Sequence, residues 1–167
     1  MATNKKPAKK HRKPGLRLVN PIDYVKESHT LLCESDPGYV LDIKLKDHSA
    51  MERLVKGEAQ QMHLENLIAT WRLVYGAWAT LGVPMPAKAE QAVVLLCANV
   101  ALCDLCQRHK ATGRAICKAV EINALNELVA LNDNLLDVVT KQQFEKLLAR
   151  ALKPILSTEP LKKAVML

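Results

Sequence analysis

Aromatic side chains are scarce: one phenylalanine, two tryptophans and three tyrosines supply 4% of 167 residues. Sheet cores draw heavily on aromatic and β-branched residues, so this scarcity argues against an all-β fold. No aromatic residue occurs in residues 1–23, which excludes base stacking by that segment. The chain has no GxSxG, no phosphate-cradling glycine loop and no HExxH, so no catalytic signature and no cofactor is expected. It also lacks a run of about 18 apolar residues, and no membrane span is expected. The charged start is not followed by an apolar stretch, so no secretory leader is expected. Five cysteines, an odd count, then read as reduced thiols in a cytoplasmic protein.

Leucine, alanine and valine supply most of the apolar mass, a mix that favours helices packed through aliphatic side chains. Charge is placed unevenly. The formal net charge is +7, and residues 1–19 hold Lys5, Lys6, Lys9, Lys10, Arg12, Lys13 and Arg17 with no acid. The remaining 148 residues carry 17 basic and 17 acidic side chains. A basic arm on a neutral body suggests a segment that touches polyanions and a domain with another task. The arm contains Pro7, Pro14 and Gly15 and too little apolar surface to offset ordering entropy, so it reads as disordered.

Periodicity and capping residues predict an all-α fold, an irregular bundle of about five or six helices spanning 20–156. Asn20-Pro21 reads as a helix start, and that helix should stop before the turn signal Ser35-Asp36-Pro37-Gly38. Residues 39–46 alternate like a strand but have no visible partner, which leaves an extended lead-in or an early helical turn. A short helix over 47–56 should end at Gly57. The clearest stripe, through Leu64, Leu67, Trp71, Val74 and Trp78, predicts a helix over 59–81 with both tryptophans in the core. Residues 87–112 read as the most buried helix, with Gly113 either a break or a kink. A helix over 114–131 should break at Asn132-Asp133-Asn134, and Thr140 to Gln143 fits a capping box. Residues 157–167 read as a loose tail.

Cys103, Cys106 and His109 show the one metal-like spacing. Zinc would need a fourth ligand such as Cys97 or Cys117, and no second CxxC exists. Burial of Cys as a small hydrophobe is the stronger reading, so no metal site is assigned. Arg108, Lys110, Arg114 and Lys118 form an acid-free run near Gly113. They read either as a second phosphate contact with an acidic face opposite, or as cations complementing a helix C-terminus. A helix-turn-helix over 47–81 is weak, because Glu58 and Glu65 would oppose phosphate approach.

Three runs carry a resemblance. Asn20-Pro21-Ile22-Asp23-Tyr24-Val25 follows the basic arm. Leu45 to Met51 leads into Leu54-Val55-Lys56-Gly57. Leu135 to Thr140 precedes the last periodic segment. Together they resemble small basic proteins of unassigned function encoded by phages and prophages of Gram-negative bacteria. The resemblance implies a cytoplasmic setting in a bacterial host and a phage accessory role, and it transfers no residue roles.

The expectation is a non-enzymatic protein that binds the phosphate backbone of DNA or RNA through its arm, with little sequence preference. Seven neutralised duplex phosphates would give a log–log salt slope of at most roughly −6. The alternative is an inhibitor or adaptor that docks a host protein on its helical surface, with counter-defence as one such role. A helical zinc or thiol enzyme using Cys103, Cys106 and His109 is the third reading. An apolar helix with few aromatic anchors also suits a homo-oligomer interface.

Overall fold

The computed structural model describes residues 29–81, 85–153 and 158–165. The expected helix from Asn20 lies largely outside them, as do the seven arm cations. The described residues form an all-α bundle of seven helices. These are α1 (Leu32–Ser35), α2 (Pro37–Val55), α3 (Gln61–Thr80), α4 (Met85–Thr112), α5 (Ala119–Val138), α6 (Lys141–Ala151) and α7 (Glu159–Val165). Helix α4 is central and packs against α3, α5 and α7, while α3 also contacts α2, α5 and α6.

The turn signal at 35–38 both ends α1 and starts α2. Asp36 accepts the Tyr39 N–H at 3.1 Å, and Pro37 takes the first helical position, where its missing N–H costs nothing. Residues 39–46 are therefore helical and continuous with 47–55, which decides between the two expected alternatives in favour of helix over an extended lead-in. The alternating apolar positions split around this helix: Leu41 and Leu45 are exposed, whereas Ile43 is partly buried and Val40 buried. Gly57, at φ +70°, closes α2 in the left-handed region.

Trp71 and Trp78 are core residues, as their stripe suggests. Each indole donates to a carbonyl of α4: Trp71 Nε1 to Leu95 O at 2.8 Å, and Trp78 Nε1 to Lys88 O at 2.9 Å. These bonds satisfy the only polar atom of each indole and lock α3 to α4 in register. On α4, Ala92, Leu95, Ala98 and Leu105 are fully buried. Burial of each such leucine stabilises the fold by about 1.5–3 kcal/mol.

Two expectations are corrected, and one further feature bears on a third. Helix α5 runs through Asn132-Asp133-Asn134 because Asn132 is buried and bonded in the core rather than turned to solvent. Residues 159–165 are not loose: they form α7, whose Leu161 is fully buried on a helix packed against α4. Finally, one described helix is long and apolar enough, by length and composition, to cross a membrane. It is Lys88–Thr112, with hydropathy 1.6 in its richest window. Asn99 and Asp104 interrupt the apolar run without lowering that mean enough to exclude it.

A buried polar cluster joins α2, α3 and α5. Asp47 accepts hydrogen bonds from Asn66 Nδ2 (2.9 Å), Thr70 Oγ1 (2.8 Å) and Asn132 Nδ2 (2.9 Å). Burial pushes its carboxyl above the usual range, and the bonds from Thr70 and Asn132 oppose that rise. The Asn132 Oδ1 atom is buried without a hydrogen-bond partner.

Candidate nucleic-acid interface

Four cations converge where α3 crosses α6. Arg72, Tyr75 and Gly76 of α3, with Lys146, Ala149, Arg150 and the following Lys153, line a concavity of about 450 Å³. No carboxylate lines it. None of Arg72, Lys146, Arg150 and Lys153 forms an ion pair among the described residues.

The local sequence explains this arrangement. Phe144 and Leu147 are buried and seat α6 on the bundle. Lys146, Arg150 and Lys153 follow at spacings of four and three, so they share a face beside that apolar stripe. The helices meet closely at Gly76: a Cβ there would lie 3.8 Å from Leu147 Cδ2 and 3.9 Å from Arg150 Cδ, ordinary van der Waals contact. The stem of Arg150 thus lies along the α3 backbone. Tyr75 stands beside it, its ring stacked against Trp71 at 5.3 Å and Trp78 at 6.0 Å between centroids. The ring is therefore held by the core.

The chain enters the described structure at the head of α6. Thr30 accepts the Lys141 N–H at 3.3 Å, Leu31 bridges to Thr140, and Leu32 donates to Val139 O at 2.8 Å. The segment leading from residues 1–28 is thus fastened at the start of α6. From there to the end of α6 is roughly 16 Å, taking 1.5 Å per residue.

The second basic run is divided by the fold. Arg108 donates through Nη2 to Glu121 Oε2 at 2.5 Å and through Nε to Ile116 O at 3.1 Å. Its guanidinium pKa is raised, first by the bond to Glu121. Glu121 is accordingly in contact with the run rather than on an opposite acidic face. Arg108 thus closes the 113–118 turn, with its guanidinium engaged by Glu121 and Ile116 O. Lys110, Arg114 and Lys118 remain exposed around that turn, and Gly113 breaks the helix at φ +71°.

Cys103 is exposed, Cys106 and Cys117 are partly buried, and no three metal-ligating side chains gather among the described residues. His63 accepts the Gln60 N–H through Nδ1 at 3.0 Å, a cap at the start of α3. Sequence reading missed Arg72, Lys146, Arg150 and Lys153. The spacing within 146–153 was a usable signal, whereas Arg72 joins only through the α3–α6 crossing. No protein family, curated protein or solved structure matches this chain.

Proposed function

We propose that this chain is a non-enzymatic nucleic-acid-binding protein, engaging phosphate backbone with its basic arm and with the α3–α6 concavity. The observation that carries the reading is the acid-free convergence of Arg72, Lys146, Arg150 and Lys153 in one concave site. Surface lysines and arginines usually have acids nearby, and four unpaired cations around a hollow favour an anionic ligand. The attachment of Thr30 and Leu31 at the head of α6 supports joint use of arm and concavity, because both would meet one polyanion. Contacts of this kind position a phosphate chain without reading bases. The reading fits the phage accessory role and bacterial cytoplasmic setting that the sequence resemblance implies.

The test is binding of labelled single- and double-stranded DNA and RNA by the full chain and by a Lys146→Glu/Arg150→Glu variant. The variant should bind more weakly, with a salt slope shallower by about 1.5, the value for two lost phosphate contacts. Equal affinity and slope in both proteins would remove the concavity from the interface.

A further inference from the structure

Helix α4 is apolar beyond the needs of the core it sits in. Only 33% of its most apolar window is buried. The excess lies along the seam with α5, where Leu96, Cys97, Val100 and Ala101 face Val120 and Ala124 across a groove of about 420 Å³. Val100 is 59% exposed and Val120 79% exposed. Each leaves most of an aliphatic side chain in water, and together they form a contiguous strip, unlike the isolated surface apolars common to soluble proteins.

The rim indicates what covers the strip. Asp104 lines the groove from α4 and Lys118 from the start of α5, and neither makes an ion pair within the chain among the described residues. One acid and one base on an apolar strip are self-complementary: a two-fold axis through the seam brings each Asp104 to the other copy's Lys118. The arm is a poor occupant, since residues 1–19 are cationic and present no apolar face. A bilayer is also a poor one, because Asp104, Lys118 and Glu121 all line the same groove. The footprint of the seam is close to, though below, what a specific dimer buries. A face about 30 Å long, the span of α5, and about 20 Å across two helices presents roughly 600 Å². A specific dimer buries roughly 800 Å² of accessible surface per partner.

We infer that the α4–α5 seam is a homodimer interface, with Val120 of each copy entering the groove of the other and Asp104 pairing with the other copy's Lys118. In a dimer two arms and two concavities act on one ligand, but the inference stands on the seam alone and is independent of nucleic-acid binding.

Sedimentation equilibrium of the full chain at micromolar concentration tests it. The native protein should sediment as a dimer. Val120→Glu should raise the dimer dissociation constant by at least about tenfold, with unchanged helical content by circular dichroism. Should that variant misfold, the surface charges give a second test. Asp104→Lys and Lys118→Asp should each weaken the dimer, and the two together should restore it. Exposed Cys97, on the groove wall, should cross-link to its symmetry mate with a short bismaleimide. A native monomer, a dimer indifferent to these substitutions, or a seam that instead retains vesicles or another protein would overturn the inference.

Discussion

Arg108 and Glu121 hold each other across the turn that separates α4 from α5. The guanidinium reaches the carboxylate at 2.5 Å, and the same carboxylate oxygen accepts the Lys118 N–H at 2.7 Å, so one acid both caps α5 and anchors the end of α4. Burial alone would push the Glu121 carboxyl up; the bonds from Arg108 and Lys118 outweigh it, and its pKa is lowered overall. Glu121→Gln should therefore cost about 2 kcal/mol, the worth of a hydrogen bond to a charged group. With the folded pKa depressed, this stabilisation is present above the unfolded value of 4.5 and is lost as pH falls through the folded one. The difference in urea midpoint between native and variant proteins should shrink as pH falls from 7 through the acid range.

Asp47 behaves in the opposite sense. Its folded pKa is raised, so its contribution to stability is full below the unfolded value of 3.8 and declines as pH rises through the folded pKa. Asp47→Asn should relieve that decline. Rotation of the Asn132 amide would then let its unpartnered Oδ1 accept from the new side-chain amide. The expected outcome is a variant that gains on the native protein as pH rises from 4 to 8. Asp47→Ala, which leaves the donors of Asn66, Thr70 and Asn132 without their acceptor, should instead lose on the order of 1–3 kcal/mol. Urea denaturation across that pH range checks both.

The glycines separate by backbone geometry. Gly113→Ala should destabilise by about 1 kcal/mol, because φ +71° is left-handed, although nothing would touch the added methyl. Gly76→Ala should be neutral or stabilising by up to about 1 kcal/mol. Its contacts are ordinary van der Waals distances, and alanine is the better helix former. Thermal unfolding of the two variants should give shifts of opposite sign or a loss confined to Gly113→Ala.

Thiol chemistry should follow burial. Burial first, then the Glu121 charge, pushes the Cys117 thiol up to about 11. Iodoacetamide at pH 8 should label Cys97 and Cys103, which are exposed, well before Cys117. Peptide mass spectrometry over a time course reads this order directly.

Much of the bundle was legible because local signals and core packing agree. The α3 stripe, the stop at Gly57 and the capping box at Thr140, whose side chain accepts the Gln143 N–H, reappear in the structure. Reading failed where a residue's local preference was overridden by a distant partner. Asn132 looks like a break until Asp47, on another helix, takes its amide; Leu161 looks like a tail residue until α4 covers it. Residues 39–46 were ambiguous for another reason: the same Asp-Pro that ends one helix caps the next, and 39–46 continue it. The concavity was half legible, since 146–153 displays its spacing but Arg72 arrives from α3 only on folding. The Arg108 pairing was not legible because its partner Glu121 lies thirteen residues away across a turn.

The central claim is that phosphate backbone binds the concavity as well as the arm. Fluorescence anisotropy with labelled DNA and RNA, at two salt concentrations, tests it most directly. The full chain would be compared with Lys146→Glu/Arg150→Glu and with a full chain in which Lys5, Lys6, Lys9 and Lys10 are changed to glutamine. Salt-sensitive binding that is weakened by both variants is the expected result. No binding by the native chain at low salt would contradict the claim, and turn attention to a protein partner for the helical surface.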